Sequence, residues 1–188
     1  MNIGFGITAS YCTHQQILKP LQQLVDNGYN VYPIVTENVL KYDTRFGSAE
    51  EFLKTVKDIT KNEVVTNVVE AEPFGPKNLI DVLVIAPCTG STLAKLANAI
   101  TDNAVTMTAK SLMRNNKPVV IGVATNDGLG LNMCNIAKLL NTQNFYFVPF
   151  KQDDPVNKPK SVIADWSKIE DTVIKALKKE QIQPLLLS

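Results

Sequence analysis

Four short polar stretches carry most of the side chains in this 188-residue chain that could do chemistry. The first, TASYCTH (8–14), sets the hydroxyls of Thr8, Ser10 and Thr13 beside the only histidine, His14. Hydroxyls and free backbone N–H groups at a helix start can donate to an anion such as a phosphate. A histidine titrating near neutrality can act as a general acid or base. The second, TENVLKYDTRFG (36–47), offers Thr36 and Asn38 and then Arg45, whose planar guanidinium can clasp a carboxylate or phosphate through a fork of two hydrogen bonds. The third is CTGST, where Cys88, Thr89, Gly90, Ser91 and Thr92 are small enough for a ligand to approach the backbone. The fourth, ATNDGLGLN (124–132), presents Asn126, whose amide both donates and accepts and can therefore read a ring amide or carbonyl.

Each stretch also has a plainer reading. Thr8, Ser10 and Thr13, like Thr89 and Ser91, can simply cap the helix that follows. Arg45 can pair on the surface with Asp43 or Glu50, and Asn-Asp-Gly makes an ordinary turn. Cys88 reads as a small buried residue, because nothing near it supplies a base. The string Gly4-x-Gly6-x-x-Ala9 is a weak dinucleotide match, since Gly4 lies inside the expected strand, only three residues into the chain. One histidine and three scattered cysteines (Cys12, Cys88, Cys134) form no metal-ligand spacing and no disulfide framework.

The elements that must position these residues follow from the hydrophobic pattern. Apolar runs at 2–8, 32–36, 64–69, 81–87, 118–124 and 145–150 read as strands. DVLVIAP (81–87) is nearly continuous in apolar residues, as in a strand covered on both faces. Helical periodicity places helices at 14–27, 48–58, 91–99, 103–115, 131–140 and 166–179. Ser48 with Glu51 three residues later starts one of them, and Asn103 caps another. Pro20 marks an early turn or a kink in the first helix. KQDDPVNKPK (151–160) reads as a polar connection, and 151–188 as a C-terminal extension of a single domain spanning 1–188. Strand–helix alternation predicts an α/β fold with a mostly parallel sheet, whose ligands lie at the carboxyl ends of the strands. All four polar stretches fall there.

Composition bounds the partners. Apolar residues make up 45% and charged residues 20%, with a formal net charge of +1, the balance of a soluble globular chain. No field attracts nucleic acid or an anionic membrane, so neither is an expected partner. No apolar run approaches a membrane span, and MNIGFGITAS lacks the basic and apolar segments of a signal peptide. A cytoplasmic chain with free thiols is expected.

APCTGSTLAKLANAITDN (86–103) resembles the signature after the fourth strand in the flavoprotein family of flavin-dependent cysteine decarboxylases, and GITAS (6–10), VTEN (35–38) and VATND (123–127) fall in matching order. The resemblance covers roughly 2–150. It implies a three-layer Rossmann-like or flavodoxin-like fold, FMN as cofactor and a homo-oligomer. Thr8, Ser10 and Thr36 match positions near the flavin phosphate, Thr89, Gly90, Ser91 and Thr92 the loop against the cofactor, and Asn126 the substrate-side asparagine. The departures are specific. Val123 and Thr125 stand where the decarboxylases have a proline and a methionine ahead of that asparagine. Leu129 and Gly130 replace a tryptophan-bearing continuation, and His14 lies in the first turn region rather than after a middle strand. They argue against decarboxylation of a peptidyl cysteine.

TRFG (44–47), AEPFGPK (71–77) and PFKQDDPVNKP (149–159) extend the resemblance to a branch of the family in endospore-forming bacteria. Its members act beside a dehydrogenase-like A subunit to form pyridine-2,6-dicarboxylate from a lysine-pathway intermediate. The implied partners are that A subunit, carrying NAD(P), and a small dicarboxylate substrate, in the mother-cell cytoplasm. Arg45, Lys77 and helix-end amides are candidate anchors for the carboxylates, and Asn126, Arg45 and His14 the candidate catalytic residues. Aromatising a dihydropyridine needs a hydride acceptor, which the A subunit's nicotinamide or a flavin on this chain would provide. An independent FMN-dependent decarboxylase and a noncatalytic scaffold for the A subunit stay open as alternatives.

Overall fold

The computed structural model describes residues 1–188. In chain order the elements are β1 (Asn2–Ile7), α1 (His14–Asp26), β2 (Asn30–Val35), α2 (Glu37–Lys41), α3 (Ala49–Thr60), α4 (Val68–Ala71), β3 (Val82–Cys88), α5 (Gly90–Ala97), α6 (Ala104–Arg114), β4 (Val119–Thr125), α7 (Met133–Leu140), β5 (Phe145–Phe147), β6 (Phe150–Asp154), β7 (Lys158–Ala164) and α8 (Ile169–Leu177). Short 3₁₀ turns at Tyr11–Thr13, Glu72–Phe74 and Trp166–Lys168 complete them.

The sheet runs β2-β1-β3-β4, and every pair in this run is parallel. The far edge of β4 is divided between two partners. Its first half pairs with β5 in parallel, through Val119 to Ile121. Its last residues, Ala124 and Thr125, pair antiparallel with β7, which continues to β6. β1, β3 and β4 are buried almost end to end because helices cover both faces. Phe5, Ile85 and Ile121 are fully enclosed, each worth about 1.5–3 kcal/mol relative to exposure.

Local chemistry sets the helix boundaries. Ser48 Oγ accepts from the Glu51 N–H at 3.1 Å and starts α3. Asn103 and Thr106 exchange side-chain and backbone hydrogen bonds as a full capping box at α6. Pro20 neither ends α1 nor sits in its first turn. It lies inside the helix, in the buried stripe with Ile17, Leu21 and Leu24.

Three expectations are corrected. Residues 64–69 do not form a strand. Val65 makes a single parallel bridge to Ile34, and Asn67 then captures the Val69 and Glu70 N–H groups and turns the chain into α4. The run 145–150 is not one strand, since Pro149, which has no N–H to donate, separates β5 from β6. The stretch 151–160 is not a polar connection but most of a β-hairpin. Asp154 Oδ1 accepts from the N–H groups of Val156 and Asn157 and folds its turn. The chain beyond α8 returns along this edge. Gln181 exchanges two hydrogen bonds with the Phe147 backbone, at 2.8 and 2.7 Å, and Leu186 bridges to Phe150.

Candidate functional site

The order β2-β1-β3 makes the chain leave β1 and β3 in opposite directions, opening a crevice past their carboxyl ends, where ligands of doubly wound sheets bind. Thr8 stitches the floor of this crevice. Its hydroxyl donates to the Pro87 carbonyl at 2.7 Å and accepts from the Thr89 N–H at 3.1 Å. It is 1% exposed, so the side chain joins the β1 and β3 loops and has no proton left for a ligand. Tyr11 ties the same loop to the next one by donating to the Asn38 carbonyl at 2.8 Å.

A cleft of about 200 Å³ opens above Thr8, lined by Thr36, Glu37, Thr89, Ser91, Lys95 and Asp102 among others. Thr89 caps α5, its Oγ1 accepting from the Thr92 N–H at 3.3 Å. The Gly90 and Ser91 N–H groups, at the first two helical positions, have no partner within the chain. The hydroxyls of Thr36 and Ser91 are likewise uncommitted, so N–H and O–H donors converge at a helix N-terminus. Lys95 pairs with Asp102 at 2.7 Å, and this hydrogen bond holds the Asp102 carboxyl below its ordinary range.

A second, larger cleft of about 630 Å³ shares Ala9 and Thr89 with the first. Its walls bring together Ser10, Arg45, Gly90 and Asn126 from the four polar stretches. Arg45 forms no ion pair with Asp43 or Glu50. Its guanidinium lies 4.9 Å from the Phe46 ring centroid, and Asp43 instead accepts from the Ala49 N–H. Asn126 is exposed, with its side chain against Ser161 at 3.3 Å. The remaining wall comes from the β6–β7 hairpin: Asp153, Lys158, Ser161 and Val162. Asp153 pairs with Lys158 at 3.1 Å, and this hydrogen bond raises the Lys158 amine above its usual value. These hairpin residues escaped the sequence reading. The signal was there in Asp154-Pro155-Val156-Asn157, a turn string followed by an apolar run at 162–164.

Gly90 faces a different neighbour from the one expected. A Cβ there would meet Asn132 Nδ2 at 2.5 Å, Thr125 Oγ1 at 2.7 Å and Asp127 Oδ1 at 2.9 Å. Protein fills this space. Thr125 donates to Asp127 at 2.6 Å, Asn132 donates to the other Asp127 oxygen at 2.8 Å, and Asn135 donates to Asn132 at 2.8 Å. This network locks the turn that carries Asn126 against the start of α5.

His14 is not brought to Arg45 and Asn126 and does not line their cleft. It is buried, stacks on Phe52 at 4.4 Å between centroids, and its Nε2 lies 2.9 Å from the Thr8 carbonyl, which can only accept. Burial lowers its pKa, partly offset by that hydrogen bond, and so favours the neutral ring. Lys77 also stands apart. It follows the Glu72–Phe74 turn, which packs on Ser111, Arg114 and Asn115 ahead of β4, at the amino ends of the strands. Cys88 is wholly buried, and desolvation pushes its thiol far above the ordinary range.

The chain matches the family model described as Flavoprotein over residues 1–178. It is 48% identical over 185 residues to the B subunit of dipicolinate synthase from Bacillus subtilis (strain 168), covering 98% of this chain and 92% of that protein. The crystal structure of the dipicolinate synthase B subunit from Bacillus halodurans superposes with a TM-score of 0.92 at 46% identity, covering 100% of this chain and 96% of that one. The FMN-dependent cysteine decarboxylase SpaF shares the fold, with a TM-score of 0.71 at 18% identity over 94% of this chain and 97% of its own. The chain therefore belongs to the flavoprotein family, in the branch of the dipicolinate synthase B subunits.

Proposed function

We propose that this chain serves as the B subunit of a dipicolinate synthase, acting with a dehydrogenase-like A subunit to form pyridine-2,6-dicarboxylate from a lysine-pathway intermediate in the cytoplasm of a sporulating cell. The observation that carries this reading is the 48% identity to such a protein across 98% of the chain. The cleft geometry agrees with a dicarboxylate ligand. Arg45, free of any acidic partner, is the carboxylate anchor, and Asn126 across the cleft reads the ring. The first cleft takes a phosphate. In FMN, the cofactor of several structural relatives, that phosphate would meet the Ser91 N–H group and the Thr36 and Ser91 hydroxyls. Thr8 and Thr89 would hold this loop in place, and Ser10 would line the adjoining cleft. A bound flavin would supply hydride acceptance, and NAD(P) on the A subunit supplies the same chemistry in its absence. We read residues 1–188 as one unit that assembles as a homo-oligomer beside the A subunit.

Reconstitution tests the reading. The chain and the A subunit are combined with substrate, and nicotinamide and FMN are omitted in turn while dipicolinate is measured. Product formation that needs both chains, and that falls at least ten-fold in Arg45→Ala or Asn126→Ala with assembly intact, supports it. Full activity in both variants would reduce the chain to a scaffold.

A further inference from the structure

Ser161 holds a buried hydroxyl between two acceptors. Its Oγ lies 3.3 Å from Asn126 Oδ1 and 3.3 Å from Asp153 Oδ2, and the residue is 2% exposed. A hydroxyl has one proton, so it serves only one of them. Asp153 Oδ2 is also the atom that accepts from Lys158 Nζ at 3.1 Å, which fixes the carboxylate in place. An ionised carboxylate is the stronger acceptor and takes the Ser161 hydrogen bond. Ser161 then turns lone pairs toward Asn126, and two facing oxygens with no proton between them repel. The Asn126 amide resolves this by rotating half a turn about its last bond, since its oxygen and nitrogen are nearly equal in size. The chain of donors becomes Asn126 Nδ2 to Ser161 Oγ to Asp153 Oδ2, with Lys158 donating from the far side. No other group in the protein hydrogen-bonds the Asn126 side chain. Its Oδ1 is therefore left pointing into the large cleft as a pure acceptor.

We propose that Lys158, Asp153 and Ser161 fix Asn126 with its carbonyl turned into the cleft, so that the site selects a dicarboxylate ring carrying an N–H or O–H donor and disfavours the aromatic product. The inference rests on the dicarboxylate reading above and adds a direction of selectivity to it. A reduced ring that carries an N–H or a ring hydroxyl offers Asn126 a donor. Pyridine-2,6-dicarboxylate offers only the ring nitrogen lone pair, which faces Oδ1 with like polarity. Both rings present two carboxylates to Arg45, so the donor is the difference that Asn126 reads. A site built to pair with a donor rejects the analogue that lacks it, because its own polar group is then buried without a partner. Ser161, Asp153 and Lys158 are positioning residues here, since they act through Asn126.

The test titrates two probes by calorimetry into the assembled complex of this chain with the A subunit: piperidine-2,6-dicarboxylate, with a ring donor, and pyridine-2,6-dicarboxylate, without one. The expected preference for the piperidine is about ten-fold or more. Asn126→Ala should bring it to within about two-fold. Ser161→Ala frees the amide to rotate, so affinity for the pyridine should rise while that for the piperidine falls. Asp153→Asn, an exposed change that leaves the hairpin turn at Asp154 intact, should shift the ratio the same way. Equal affinities in the unaltered complex overturn the proposal and leave the dicarboxylate reading standing. A preference that survives Asn126→Ala also overturns it, since attraction of a protonated ring amine to nearby carboxylates then explains the difference. Absence of binding by either probe, with Arg45→Ala fully active, removes the reading and the proposal together.

Discussion

Gly90→Ala separates two reasons for a glycine at the start of α5. If the missing side chain makes room for a ligand, the variant folds normally and binds poorly. If it makes room for the turn behind it, the variant loses stability before any ligand is present. The geometry favours the second. The new Cβ would lie 2.5 Å from Asn132 Nδ2, so Asn132 must retreat by about 1 Å to reach ordinary contact. That movement breaks its 2.8 Å hydrogen bond to the Asp127 carboxylate, a loss of about 1.5–3 kcal/mol. Thr125 Oγ1, at 2.7 Å from the Cβ, is held by its own 2.6 Å bond to the same carboxylate and cannot yield independently. Overpacking adds about 1–3 kcal/mol where relief is incomplete. Replacing glycine by alanine in a helix returns at most about 1 kcal/mol. The net cost is about 2–4 kcal/mol, a large part of a typical folding free energy of roughly 5–15 kcal/mol. Urea unfolding should show it as a lower midpoint at unchanged slope. Melting should fall by about 5–15 °C for a chain of this length. Combining Gly90→Ala with Asn132→Ala should recover at least about 1 kcal/mol relative to additivity, because the second change removes the nearest obstruction. A Gly90→Ala variant within about 0.5 kcal/mol of the original would refute the packing account.

Thr8→Val keeps the shape of the side chain but leaves the Pro87 carbonyl and the Thr89 N–H without their buried partner. We expect a loss of about 2–4 kcal/mol in denaturant unfolding, and an unchanged midpoint would show that the stitch is dispensable. His14 has a folded pKa below its unfolded value, so the unfolded chain binds more protons as pH falls below about 6.5. The stability due to its neutral ring is present above that pH and is lost as pH falls toward the depressed pKa. Unfolding midpoints measured between pH 7.5 and 5 should decline less steeply in His14→Phe, and parallel profiles would exclude the effect. Cys12 and Cys134 are exposed and Cys88 is buried, so a thiol reagent should titrate the first two in the native protein and Cys88 only after unfolding. Rapid reaction of all three would contradict the enclosed β3 end.

The central sheet was readable because β1, β3 and β4 are apolar on both faces, and a run such as 81–87 has few other uses. Helix starts were readable where one side chain decides them, as at Ser48 and Asn103. What failed was decided by hydrogen-bond and strand partners that the apolar pattern does not show. Val64 and Val65 look like strand residues, yet Asn67 and Glu70 close a turn immediately after them. β6 buries Phe150 and exposes the next three residues, so its composition is that of a loop. Only pairing with β7, and β7 with the end of β4, makes it a strand. The site divides along the same line. Thr36, Arg45 and Asn126 belong to loops, and Ser91 to a helix start, whose place follows from the strand order. Residue type alone gave no warning that Thr8 and Gly90 are committed to packing or that His14 is enclosed, because a hydroxyl, a glycine and an imidazole each serve structure and ligands equally well.

Asp127 links these outcomes. Its carboxylate lies against the first residue of α5, accepts from Thr125 and Asn132, and lines the larger cleft rather than the smaller. An anion proposed for the smaller cleft would meet the unpartnered Ser91 N–H and the Thr36 and Ser91 hydroxyls. Such binding is short-ranged and geometry-limited, and it favours a ligand whose oxygens reach several donors at once over any diffuse anion. The same carboxylate holds the turn that presents Asn126 to the larger cleft. The two clefts, which share Thr89 and Ala9 on one rim, are therefore set in register by a residue in the wall of the larger one.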